Sequence, residues 1–108
     1  MVLKIIDTDM IGSTPLALGA NDAIILPGVF VASDMSAAVT TTGSIQKVNV
    51  QGAVFAALSA LDLGTANGTG QHLTIGANGY VGNSSSSLLS PVVLMRGSGN
   101  QIDNAGTV

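Results

Sequence analysis

The chain carries its acidic chemistry entirely on aspartate. Asp7, Asp9, Asp22, Asp34, Asp62 and Asp103 are its six acids, and His72 is its one histidine. Two carboxylates flanking a glycosidic bond can serve as acid and base. Asp7, Asp9 and Asp34 are the set to weigh, because Asp7 and Asp34 stand 27 residues apart. His72 with the serine run 84–87 supplies the parts of a Ser-His-Asp triad, but the G-x-S-x-G elbow that exposes such a serine is missing. A transition metal at His72 lacks a second imidazole, and the absence of cysteine removes any thiolate ligand or disulfide. Gly19-Ala20-Asn21-Asp22-Ala23-Ile24 keeps the D-x-U half of a calcium-binding nonapeptide, once. A β-roll needs that nonapeptide in successive turns, so that neighbouring turns share the ion. Calcium is thus the only cofactor to consider, and Asn21-Asp22 read instead as turn residues. The expectation is no catalytic residue, no cofactor and no enzyme.

Other patterns are equally incomplete. The run Thr40-Thr41-Thr42 invites comparison with threonine arrays, but the 27-residue columns run Thr40–Asn67–Leu94 and Thr42–Thr69–Arg96. Phe30, Phe55 and Tyr80 are the only aromatics, too few for a nucleic-acid stacking platform. Charged residues make up 8% of the chain, against about 25% in ordinary soluble domains. The net charge is −3 and the three cations, Lys4, Lys47 and Arg96, are scattered, which excludes a nucleic-acid partner held by counterion release. No stretch approaches the ~18 consecutive apolar residues of a membrane helix. The richest one, residues 23–32, is cut by Pro27 and Gly28, so membrane insertion is not expected. A chain this apolar and this weakly charged hides surface in an assembly, and the expected partner is a second copy, head to tail or side by side.

The elements that position these residues follow from a repeat. Gly43, Gly70 and Gly97 are spaced by 27, as are Gly52, Gly79 and Gly106, with Gly19 and Gly28 forming the same pair one unit earlier. Ile24, Val48, Ile75 and Ile102 each lie four before the second glycine, and Phe30, Val54, Val81 and Val108 two after it. Apolar positions recur with a period of two, and polar or small residues such as Lys47, Asn49 and Gln51 alternate with them. Segment 52–61 could be read as a helix from its Ala and Leu content. Strand and turn are preferred, with Leu61 recurring as Leu88. The reading is all-β: a parallel β-solenoid of about four coils with a repeat of about 27 residues. Ile24, Val48, Ile75, Ile102, Phe30, Val54, Val81 and Val108 form its core, and Gly28, Gly52, Gly79 and Gly106 its corners. Residues 1–18 match no unit and read as an N-terminal cap. Residues 19–108 divide into coils 19–42, 43–69, 70–96 and a partial 97–108. The sequence stops partway through that last coil on a core position, so either a longer solenoid continues it or its free strand edge templates another copy.

The final stretch, Gly97-Ser98-Gly99-Asn100-Gln101-Ile102-Asp103-Asn104-Ala105-Gly106-Thr107-Val108, resembles the GxGNxIxNxGTI phrase of secreted bacterial β-helix proteins, the haemagglutinin-like adhesins and RTX-associated surface proteins. The resemblance is specific over about twelve residues and extends loosely over 43–108 through the glycine columns. It implies a protein secreted by, or displayed on, a Gram-negative bacterium and acting as stalk, filament, surface-layer element or adhesin. A carbohydrate-binding or carbohydrate-cleaving solenoid, of the tailspike or lyase type, is the rival expectation, with a surface polysaccharide as partner.

Overall fold

The computed structural model describes residues 2–13, 16–34, 36–84 and 91–108. Strands β1 (Leu3–Ile6), β2 (Met10–Gly12), β3 (Leu16–Gly19), β4 (Asp22–Ile25), β5 (Phe30–Ser33), β6 (Val39–Thr41) and β7 (Lys47–Val50) follow one another in order. They continue as β8 (Ala53–Ala56), β9 (Leu61–Leu63), β10 (His72–Ile75), β11 (Tyr80–Asn83), β12 (Val93–Met95) and β13 (Gln101–Asn104). Every third strand joins the same sheet. Sheet A runs β1-β4-β7-β10-β13, sheet B runs β2-β5-β8-β11 and sheet C runs β3-β6-β9-β12. All of these pairings are parallel. The chain is therefore a three-sided parallel β-solenoid, with four complete rungs and the start of a fifth. No helix occurs among the described residues, and none is long and apolar enough to cross a membrane.

Short strands with alternating side chains explain the interior. Val48 and Val50 of β7 point in and Lys47 and Asn49 point out, matching the buried–open alternation of that strand. Stacking on the next rung keeps the parity. Ala23, Val48 and Leu73 form one interior column, and Ile25, Val50 and Ile75 a second. Val31, Val54 and Val81 line sheet B, while Val39 and Leu61 do the same for sheet C. These eleven side chains are at most 2% exposed. Each fully buried Val, Leu or Ile contributes about 1.5–3 kcal/mol of transfer free energy, so the columns are the main source of cohesion.

Of the eight side chains expected inside, Val48, Ile75, Val54 and Val81 are buried. Ile24 and Phe30 are not: both stand on the outward face, Ile24 partly covered and Phe30 at 39% exposure. The cause is Gly28, which stands one residue before the corner column shared by Val29, Gly52 and Gly79, so counting from it lands on the wrong parity in the second rung. The corner between sheets A and B takes four residues (26–29) after β4, two (51–52) after β7 and four (76–79) after β10, a change of two that keeps parity. Ile102 and Val108 do occupy interior columns, Ile102 over Leu73 and Val108 next in line after Val81, yet they are 50% and 54% exposed in the last rung. Ile75 and Ile102 lie on paired strands but two residues out of register, since Ile75 faces Asn104.

The corner glycines divide into two kinds. Gly52, Gly79 and Gly106 stack on one another, as the Ala53–Tyr80 and Tyr80–Thr107 pairings show. A Cβ on Gly79 would sit 2.5 Å from the Val50 carbonyl oxygen, so close backbone approach is what excludes a side chain there. Gly28 is one residue out of that column, where Val29 stands instead. It is open to solvent and is held at φ +83°, so it serves a bend. The 27-residue spacing holds only for those steps of sheet B. In sheet A the steps are 19, 25, 25 and 29 residues, and in sheet C they are 23, 22 and 32. Leu61 accordingly stacks on Val39 and Val93, and Leu88 lies outside the described residues. The segment expected to be a separate N-terminal cap instead contributes a rung of its own: β1, β2 and β3 are the outermost strands of the three sheets.

Candidate functional site

Of the residues singled out for chemistry, His72 and Asp103 meet, whereas Asp7, Asp9 and Asp34 fall on separate parts of the coil. Asp9 accepts a hydrogen bond from the Phe30 main-chain N–H (2.9 Å), which ties rung 1 to rung 2. Asp7 follows β1 on sheet A, and Asp34 follows β5 on sheet B, so no carboxylate pair forms. Asn21 Oδ1 accepts from Val2 N–H (3.2 Å) and Asp22 Oδ1 accepts from Lys47 N–H (2.9 Å), so both side chains tie neighbouring rungs together. Among the described residues there is no group of three or more metal-ligating side chains. His72 points outward from β10, and its Nε2 lies 2.7 Å from Asp103 Oδ2 on β13. That contact, with a further hydrogen bond from Gln101, holds the Asp103 carboxyl below the ordinary carboxylate range. The pair spans a rung boundary on the solvent face, and the serines 85–87 that would complete a triad lie outside the described residues.

Sequence reasoning missed a ladder of amides at the corner where sheet C passes into sheet A. Asn21, Gln46, Gln71 and Asn100 stack there, one per rung, each two residues before an interior position of sheet A. Gln46 is fully buried. Its Nε2 donates to the Gly19 and Asn21 carbonyls (2.7 and 2.8 Å), and its Oε1 accepts from Gly43 N–H (2.6 Å). Gln71 is 1% exposed. Its Nε2 donates to the Gly43 carbonyl (2.7 Å), and its Oε1 accepts from the Thr41 hydroxyl (3.1 Å). Asn100 Oδ1 accepts from Gln71 N–H (3.0 Å). A corner turns main-chain groups away from the sheet ladder, and the amides satisfy them from inside. No buried side-chain nitrogen or oxygen among the described residues lacks a partner. The signal was present as one amide per unit at 25- to 29-residue steps, but the glycine frame obscured it.

Two further surfaces stand out. On the flank, Thr40 stacks on Asp62 in sheet C, and Arg96 reaches back to Asp62 with Nε–Oδ1 at 2.9 Å and Nη2–Oδ2 at 3.3 Å. The threonine run is therefore no array: Thr40 faces out, Thr41 is buried and Thr42 lies beyond β6. At the two ends of the coil, the outermost strands expose unpaired edges. The rung-5 face shows the interior-column residues Ile102 and Val108. The rung-1 face shows Lys4, which shares its column with Ala23 and its side of the strand with buried Ile6.

Comparison of the chain with protein-family models, with curated proteins and with solved structures finds no match.

Proposed function

We propose that the protein is a structural β-solenoid that associates end to end with a second copy through the face of β13. The observation that carries this reading is the exposure of Ile102 (50%) and Val108 (54%) on columns whose earlier members, Leu73 and Val81, are wholly buried. Apolar interior positions beside an unpaired parallel edge form a template for strand addition, in which main-chain hydrogen bonds supply affinity and the columns supply register. The opposite face is guarded. A head-to-tail filament places Lys4 of one copy in line with Ile102 of the next, burying an unpaired ammonium at a cost of several kcal/mol. The arrangement thus favours two copies meeting face to face at rung 5 over an open fibre. An extracellular, surface-displayed setting as stalk, surface-layer element or adhesin belongs to the same proposal. Its support is the likeness of residues 97–108 to the β-helix phrase, with the lack of cysteine and the scarcity of charge.

Sedimentation equilibrium of the purified chain tests it. A dimer is expected, converted to monomer by Ile102→Lys without loss of the far-UV β signature. Lys4→Leu is expected to lengthen the assembly, because it removes the guard from rung 1. A monomer at all concentrations refutes the proposal, and so does a dimer indifferent to Ile102→Lys.

A further inference from the structure

The flank of sheet C carries a groove that the end-to-end reading does not use. It has a volume of about 430 Å³ and is lined chiefly by Thr40, Thr42, Asp62, Thr65, Ala66 and Arg96. Three consecutive rungs build it. Thr40 and Thr42 come from the second rung, Asp62 and the turn after it from the third, and Arg96 from the end of the fourth. The floor is Gly64, buried and held at φ +85°, where a Cβ would crowd the Arg96 carbonyl oxygen at 3.0 Å and the Gln71 side chain at 3.1 Å. Behind the floor, the Thr41 hydroxyl accepts from Gly64 N–H (2.8 Å), so the hollow is fixed to the amide ladder.

The lining chemistry narrows the ligand. Asp62 and Arg96 make a planar two-bond pair, which holds the guanidinium in one orientation and keeps it charged. Its N–H groups not engaged by Asp62 remain as donors, and the carboxylate keeps lone pairs for further donors. Thr40, Thr42 and Thr65, whose hydroxyls can each donate and accept, line the groove with the pair. The charges cancel within the groove, and no aromatic or bulky aliphatic side chain lines it. An anion meets a guanidinium already neutralised by Asp62, and an apolar ligand meets hydroxyls it cannot satisfy. A neutral ring with adjacent hydroxyls fits both demands. The volume falls within the range of about 300–1,000 Å³ typical of small-molecule sites.

We infer that this groove binds one or two rings of a neutral saccharide, with Asp62 and Arg96 reading a pair of adjacent hydroxyls and Thr40, Thr42 and Thr65 the remaining ones. The site lies on the side of the solenoid, so it stands or falls independently of association at rung 5. An open groove with few apolar contacts implies weak binding, with Kd of about 1–10 mM for a single sugar.

Amide-detected NMR titration of the whole chain reads it directly, with glucose, galactose, N-acetylglucosamine and cellobiose as probes and sulfate as the anionic control. Saturable shifts confined to residues 40–42, 62–66 and 96 are expected for at least one sugar. Asp62→Asn and Arg96→Gln should each weaken binding about tenfold. Thr40→Val, which keeps the shape and removes one hydroxyl, should weaken it about threefold. Each variant's amide spectrum outside the groove checks that the fold is kept. The inference is overturned if none of the sugars gives saturable shifts at about 100 mM, well above the expected Kd. Preference for sulfate overturns it too, as do shifts that map to Phe30, Phe55 and Tyr80.

Discussion

Replacing Gln46 by leucine removes four hydrogen bonds, one of them a long 3.5 Å contact donated by Gln71 Nε2, while nearly conserving volume, and its effect can be worked out from the structure. Gly43 N–H loses the Gln46 Oε1 acceptor that stands 2.6 Å away. The Asn21 carbonyl loses its 2.8 Å donor, and the Gly19 carbonyl keeps only the bond from Thr42 N–H. A buried polar group left without its partner costs about 1–3 kcal/mol. One amide and one carbonyl fully affected, with a second carbonyl partly compensated, give a destabilisation of about 3–4 kcal/mol. For a domain near 100 residues, each kcal/mol moves Tm by about 4–8 °C, so a fall of roughly 12–30 °C is expected in thermal melts followed by far-UV circular dichroism. Gln46→Glu sharpens the test. A carboxylate there faces two carbonyl oxygens, so its folded pKa is raised, and the variant should be least stable at neutral pH and recover as the pH is lowered. A Gln46→Leu variant melting within about 3 °C of the parent would show that the ladder is not needed to satisfy the corner, and the energetic argument for it would fail.

Other expectations follow from packing and charge. Gly79→Val sets a side chain 2.5 Å from the Val50 carbonyl oxygen and 2.8 Å from Ile75 Cγ2, and should cost more than about 3 kcal/mol or prevent folding, whereas His72→Ala should cost less than about 1 kcal/mol in the same melts. Ile25→Ala, at a wholly buried site, should lose about 2–5 kcal/mol, while Ile24→Ala on the outward face should lose less than about 1 kcal/mol. Equal losses in urea titrations would contradict the strand parity. Asp103 has a folded pKa below its unfolded value, so its stabilisation of the last rung is present above pH ~4 and lost as the pH falls through the folded pKa. Amide exchange of β13 should quicken in that acid range for the parent and show no such step in Asp103→Asn.

The winding of the chain was legible because burying one face of a strand imposes a period of two, and stacking imposes recurrence at each corner. Gly52, Gly79 and Gly106 mark places where backbones nearly touch, so they hold a fixed column and could be read directly. Register was not legible from them. Gly28 sits one residue before the column position, which Val29 fills, and a shift of one residue exchanges inside for outside. Ile24 and Phe30 were misplaced for that reason. The amides at 21, 46, 71 and 100 were harder to see, because asparagine and glutamine are also ordinary turn and surface residues; burial distinguishes Gln46 and Gln71, and bonds to the neighbouring rung distinguish Asn21 and Asn100. The groove depends on Arg96 reaching Asp62 across a rung boundary after a 32-residue step, a spacing no other rung shares.

Rung 1 and rung 5 differ in a way that bears on which end takes a partner. At the amide position rung 5 has Asn100 and rung 1 has Val2. At the first interior position of sheet A it has Ile102 against Lys4, at the tight corner Gly106 against Thr8, and in sheet B Val108 against Met10. Rung 5 thus keeps the residue types that interior rungs use to pack under a neighbour, with one departure at Asn104, whose Oδ1 accepts from Gly106 N–H (3.0 Å). Rung 1 departs from those types at Val2, Lys4 and Thr8 but keeps apolar residues at Ile6 and Met10. A residue such as Lys4 is compatible with a strand covered on one side only, since its stem can lie over Ala23 while its ammonium stays in water. Ile102 has no polar end to keep in water, so β13 is the edge that the proposed association would cover.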